Sequence, residues 1–205
     1  MLFNHFKTRN IIGILFSISI VQACQTTQLA KTDGSSASFL VYQTESKTKV
    51  TDTSTNKFYS AKVIWYLKEQ ELLRIDLLGP FDILMAQAFV TQSKATLIDH
   101  RQKIIRLINQ VQNLKIDGYE LPVFELALLI HQYQPRQWTC QPNEFGKKNC
   151  RNFQLKSTWI SPNELKIQDN RYLIEVMLLS SQIKAESETG VFQVFHPSNY
   201  QVIRD

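Results

Sequence analysis

ELLRIDLLGPFDILMAQAF, residues 71–89, reads as strand, tight turn, strand. Leu73, Ile75 and Leu77 share one face, while Arg74 and Asp76 point the other way. That period of two is the pattern of a half-buried antiparallel strand. Gly79-Pro80 is ordinary turn chemistry. Phe81 follows at once. A large aromatic at a turn tip costs solubility unless it is covered or used. Phe81 therefore either folds back onto its own sheet or reaches out to touch something.

The same alternation runs through most of the chain. In SAKVIWYLK, Ala61, Val63, Trp65 and Leu67 share a face. KATLID puts Ala95 and Leu97 together, and RYLIEVML aligns Tyr172, Ile174, Val176 and Leu178. QKIIRL and NELKIQD continue the theme. The connections are short, near 68–70, 92–93, 100–101 and 169–170, so a meander of hairpins is expected. Arg74 and Arg106 read as solvated strand residues.

One segment breaks the period. LPVFELALLIHQYQP, residues 121–135, has Pro122 near its start and Pro135 at its end. Phe124, Leu128 and Leu129 share a helical face, which predicts a helix of about three turns. INQVQNLK before it adds another turn or two, giving a helical insertion near 108–133. A sheet with one apolar face needs a cover, and the insertion supplies it. The fold class is mainly β with a helical lid (α+β). The closing stretch GVFQVFHPSNYQVIRD reads as a strand, a proline turn and a final strand.

The start of the chain reads as a targeting segment. MLFNHFKTRN carries Lys7 and Arg9 and no acid. IIGILFSISIVQA is a short apolar run that ends in Ala23, before Cys24. Residues 1–23 are the expected signal peptide, and the small residue before Cys24 resembles the lipobox of bacterial lipoproteins. An ordinary secreted protein or an uncleaved anchor would share the same apolar run. Residues 24–38, lipidated at Cys24 and then polar and rich in small residues, form a flexible tether. Residues 39–205 form a single domain.

The 205 residues are 43% hydrophobic and 20% charged, which excludes a disordered or collagen-like chain. Loss of residues 1–23 removes Lys7 and Arg9 and lowers the formal net charge from +5 to +3. That balance argues against nucleic acid as a partner. Cys140 and Cys150 flank the polar segment QPNEFGKKN, and in an oxidising compartment such thiols pair. A zinc site lacks the further Cys or His partners that a tetrahedral set needs. No metal or other cofactor is expected.

The order of these segments resembles the LolB family of outer-membrane lipoproteins. A lipobox and tether lead to FYSAKVIWYL, LLRIDLLGPF, ATLIDHRQKII and the Leu-Pro-led ELPVFELALLIHQYQP. The resemblance covers roughly residues 47–180 and rests on pattern, spacing and one short motif. The family receives lipoproteins from a soluble periplasmic carrier and inserts them into the outer membrane. Its fold, shared with the carrier LolA, is an incomplete antiparallel β-barrel lidded by helices over a hydrophobic cavity. The resemblance implies a lipid cavity lined by Trp65, Leu73, Ile75, Leu77, Leu97, Phe124, Leu128 and Leu129. A packed core needs the same apolar side chains, so periodicity does not separate the two. It also implies a membrane-insertion loop at Gly79, Pro80 and Phe81, where the family has an Asn-Pro-Leu-Gly type of turn. Gly79 and Asp82 depart from that pattern, and Asp82 puts a charge beside the tip. The closing stretch departs as well, and looks more like the end of LolA-type carriers.

The partners implied are acylated lipoproteins, a LolA-like periplasmic carrier and the outer-membrane lipid surface, with the protein a lipid-anchored monomer on the periplasmic face. Catalysis has little support. Asp99 and His100 are neighbours in a hairpin turn, so they point to opposite faces. His131 reads as a boundary residue of the helix. No nucleophile elbow, phosphate loop or metal helix is present in the sequence, so no enzyme is expected. The alternative function is a LolA/LolB-like-fold lipoprotein that binds another lipid or a partner protein in envelope structure or sensing.

Overall fold

The structure, a computed structural model, describes residues 39–109, 114–116, 119–186 and 190–204. Residues 1–38, with the expected signal peptide, Cys24 and the expected tether, lie outside the described residues.

The first half is a meander: β1 (Phe39–Asp52), β2 (Phe58–Lys68), β3 (Leu72–Leu78), β4 (Leu84–Val90), β5 (Lys94–Asp99) and β6 (Ile104–Asn109). A small hairpin of β7 (Leu114–Ile116) and β8 (Tyr119–Leu121) leads into helix α1 (Val123–Ile130). The second half runs β9 (Thr139–Pro142), β10 (Lys148–Arg151), β11 (Lys156–Ser161), β12 (Glu164–Gln168), β13 (Tyr172–Glu186) and β14 (Gln201–Arg204). Twelve of these strands form one open sheet, ordered β14-β6-β5-β4-β3-β2-β1-β13-β12-β11-β10-β9. Long β1 joins the halves by pairing with β2 on one side and β13 on the other.

The opening stretch folds as a hairpin, with Leu73 opposite Val90, Ile75 opposite Ala88 and Leu77 opposite Ala86. Its apolar face enters one core with Val63, Trp65, Ala95, Trp159, Leu165, Ile174 and Val176. Leu73 on β3 and Cys150 on β10 lie six strands apart in the sheet order. On a flat sheet that is roughly 30 Å, yet both side chains belong to this core. The sheet therefore curls round its apolar face. The disulfide Cys140–Cys150 ties β9 to β10 at a directly opposed pair, with 4.0 Å between the α-carbons.

Three expectations are corrected. The helical insertion does not begin at 108: β6 stays in ladder with β5 as far as Asn109 opposite Lys94, and Leu114–Ile116 is paired in the small hairpin. Residues whose backbone groups are committed to a ladder are not free to make helical bonds. Helix α1 itself has eight residues, about two turns rather than the three expected. It stops where Gln132 takes a left-handed backbone, φ 66°. The closing stretch has no strand over 190–200, and β14 runs parallel to β6, with Gln201 opposite Ile104. The sheet is antiparallel except at that edge.

Residues 190–200 instead cross the outer face of β3 to β6. The Arg74 guanidinium donates to the Val191 carbonyl at 2.7 Å, and His100 meets the Tyr200 hydroxyl at 2.9 Å. Asp76, Ile98 and Ile105 are buried on this face, away from the main core. Arg74 is thus no solvated strand residue. It grips Asp76 with two bonds of 2.8 and 2.7 Å and lies near the rings of Tyr66 and Phe89. Arg106 is exposed as expected.

Candidate functional site

The concave face and its lid come first. Helix α1 lays Val123, Leu126, Ala127, Leu129 and Ile130 into the core. Beneath it a cavity of about 50 Å³ remains, lined chiefly by Val63, Trp65, Ile75, Leu77, Leu126 and Ile174. Of the predicted cavity residues, Trp65, Ile75 and Leu77 line this space. Leu73, Leu97, Phe124 and Leu129 belong to the surrounding apolar core. Leu128 is buried but stands outside that cluster. This pocket by itself is too small for a whole acyl chain. The Trp65 indole on this side is satisfied: its N–H donates to Ser46 Oγ at 2.8 Å, and Ser46 meets Thr48 at 3.1 Å.

The seat of α1 is polar where it should be dry. Pro122 at its N-terminus provides no side-chain cap. Glu125 Oε2 and His131 Nε2 are buried with no hydrogen-bond partner. Burial pushes the Glu125 carboxyl up and the His131 imidazole down to about 4. Each unpaired buried group costs free energy, about 1–3 kcal/mol, that a wetter position would recover. The helix is therefore held by apolar contacts and opposed by its own polar groups. Beside its C-terminal end lies an open groove of about 470 Å³, bordered by Tyr42, Ile130, His131, Gln132, Lys147, Asn163, Leu178 and Ile183. Tyr42 packs against His131 and Tyr133, with ring centroids 5.6 and 5.7 Å apart. Nothing in the period-two pattern marks this groove. Its only sequence signal is a Tyr-His-Tyr set drawn from β1 and the end of α1.

The turn at the foot of β3 and β4 is the second feature. Phe81 is 97% exposed. It takes a left-handed backbone, φ 59° and ψ 29°, and Asp82 follows at φ 56°. A bulky residue there is strained. Three restraints hold it. The Gly79 amide donates to the Ile83 carbonyl at 2.8 Å, which closes the turn. A β-carbon on Gly79 would sit 2.2 Å from Met85 Sδ, so the turn packs against that side chain. Asp82 turns back onto Lys62, with contacts of 3.1 and 3.3 Å, and holds the ammonium's pKa above its ordinary value. Asp82 thus spends its charge on its own sheet, while Phe81 and the exposed Ile83 face outward.

On the outer face a chain of hydrogen bonds links Arg74, Asp76, Gln87, His100 and Tyr200. The Asp76 carboxylate only accepts, so Gln87 donates to it through Nε2 and accepts through Oε1. His100 must then donate from Nε2, at 3.1 Å, and accept the Tyr200 proton at Nδ1. Burial holds His100 below its ordinary pKa, against the pull of Asp76 and Asp99. This chain fixes the crossing segment in place, and a proton relay at Asp99-His100 is not what it forms.

No family model matches the chain, and no curated protein matches it. Among solved structures it is similar to an uncharacterized conserved protein from Thermus thermophilus, at 10% identity and a TM-score of 0.43, over 80% of this chain and 90% of that one. It is also similar to a LolA superfamily protein from Nitrosomonas europaea, at 7% identity and a TM-score of 0.41, over 71% of this chain and 85% of that one. Likeness at this level carries no argument about what the chain binds.

Proposed function

We propose that this chain is a non-catalytic, lipid-anchored receptor at the periplasmic face of the outer membrane. It takes acyl chains of lipoproteins from a LolA-like periplasmic carrier beneath α1 and helps insert them into the membrane. The observation that carries the reading is Phe81: a bulky apolar side chain held out into solvent, on a strained backbone, by a turn braced at Gly79 and Asp82. Strain of this kind is kept where the side chain is used.

The lid supports the same reading. Each buried methylene is worth about 0.8 kcal/mol, so acyl chains do not cross water bare. A receptor must hold them more tightly than the carrier and less tightly than the bilayer. The pocket of about 50 Å³ beneath α1 is too small for a whole chain, so in this reading α1 lifts from its seat to admit one. The unpaired Glu125 and His131 lower the cost of lifting it. A second reading rests on the open groove, whose mixed lining suits another lipid's headgroup or a partner protein without any transfer.

Depletion of the protein decides between them. Transfer requires that outer-membrane lipoproteins accumulate on the soluble carrier. Normal sorting in a clean deletion would sink it and leave the second reading. Phe81→Glu should still take up a labelled acylated peptide from the carrier yet insert it poorly, and unchanged insertion would remove the role given to the tip.

A further inference from the structure

Antiparallel connections alternate between the two ends of the sheet. The end that holds Phe81 also holds, in order across the sheet, the turns 100–103, 79–83, 53–57, 169–171 and 152–155. Phe81 and Phe153 are the two most exposed large apolar side chains among the described residues, at 97% and 87%. Both sit in turns at this end, one in each half of the sheet. Between the two turns lie six strand spacings, roughly 30 Å along the sheet and less across its curl. The turn that carries Phe153 is also fixed, by a different device: the Asn152 side chain accepts the amides of Gln154 and Leu155, at 2.8 and 2.6 Å.

Charge is sorted at the same end. Lys57, Arg101, Lys103, Arg151, Lys156 and Arg171 are exposed there. The carboxylates beside them are turned inward. Asp52 accepts from Ser54 and Thr55, Asp99 from the amides of Arg101 and Gln102, and Asp169 from those of Arg171 and Tyr172. Asp82 is engaged with Lys62. The acids serve as turn staples, and two of them also pair with exposed cations, Asp99 with Arg101 and Asp52 with Arg171 at 3.6 Å each, while Lys57, Lys103, Arg151 and Lys156 face solvent. The opposite end is mixed, exposing Glu69, Glu71 and Glu144 beside Lys94 and Lys148, and Phe145 there packs against the core.

We infer that this end is a docking face for a bilayer with anionic headgroups, and that it stands on two aromatic feet, Phe81 and Phe153, with the cations between and beside them reading phosphate. The inference rests on the membrane-touching role proposed for Phe81 and adds a second contact and a lipid preference. Apolar tips enter the interface and each nearby cation adds about 1 kcal/mol against an anionic surface. Two separated feet also set the strands end-on to the membrane.

The test uses the full chain in vesicles of brominated lipid, either phosphatidylcholine alone or with about a third phosphatidylglycerol, anionic as in the surface potential it imitates. The native Trp65, Trp138 and Trp159 are buried, so an added tryptophan reports its own site. Phe81→Trp and Phe153→Trp should both lose most of their added emission on the anionic vesicles and far less on the neutral ones. Glu69→Trp, at the opposite end, should be unquenched on both. Quenching at 81 without quenching at 153 overturns the second foot and leaves the proposed function standing. No quenching at either site overturns both. Equal quenching on the two vesicle types overturns the anionic preference.

Discussion

Acid should loosen the seat of α1 through His131. Its Nε2 is buried without a partner, and burial pushes its pKa down to about 4. The unfolded chain takes its proton near 6.5. Above that value both states are neutral and His131 contributes no pH dependence. Between 6.5 and 4 the unfolded state binds more protons than the folded one, so stability falls as pH falls. Below 4 both are charged and the loss is complete, at about 3 kcal/mol from a shift of about 2.5 units. The same linkage makes the loss roughly 1 kcal/mol near pH 5.5 and roughly 2–3 kcal/mol near pH 4.5. Titrating carboxylates elsewhere would obscure this in the wild type alone, so the quantity to measure is a difference. His131→Leu removes the titrating group and keeps an apolar side chain against Tyr42. Urea midpoints of the two proteins, read by tryptophan fluorescence at matched pH, should agree within error or favour the variant near neutrality. They should then diverge further in the variant's favour as pH drops through the window. A difference that stays flat would mean that His131 accepts its proton in the closed state, and would remove one of the two groups held to weaken the lid. Glu125 acts with the opposite sign: its raised pKa means the folded state holds a proton longer, so its contribution is lost as pH rises past the ordinary carboxyl range.

Two further outcomes test the frame that holds the site. Reducing Cys140–Cys150, or replacing both with serine, should cost about 2–3 kcal/mol in urea unfolding, as expected for so short a closed loop. An unchanged midpoint would refute the pairing of β9 with β10 as a stabilising staple. Arg74→Met should cost about 3–5 kcal/mol, because it leaves the buried Asp76 with only the Gln87 amide. The double change Arg74→Met with Asp76→Leu should recover most of that loss. If the double variant is no more stable than the single one, the guanidinium's bond to the Val191 carbonyl matters more than its pairing with Asp76.

The strands were legible because each needs only its own neighbours: Leu73, Ile75 and Leu77 alternate whatever lies opposite, and short turns then force the meander. The helix was legible in kind, since Pro122 and Pro135 bracket it, but its length was set by the hairpin before it and the left-handed Gln132 after it. What alternation does not carry is anything made between distant segments. Val191, Phe192 and Val194 look like a strand until Arg74, far earlier in the chain, takes the Val191 carbonyl and fixes the segment across the outer face. His100 is bonded through a residue 100 positions away. Nor does alternation separate a filled concave face from a hollow one, because Trp65 and Ile75 point inward in both. Phe81 stood out because Gly-Pro announced its turn. Phe153 did not, although Asn152 followed by an aromatic and Gln154 is a turn with its own staple. The rule that would have found it is the one that found Phe81: an aromatic side chain among turn residues, at a spacing that places it at the same end of the sheet. Among the described turns between antiparallel strands at that end, the rule picks out Phe81 and Phe153, and it excludes Phe145, whose turn lies at the other end and whose ring is folded onto the core. Exposure and strand parity together, rather than hydrophobicity alone, are what single out the membrane-facing candidates.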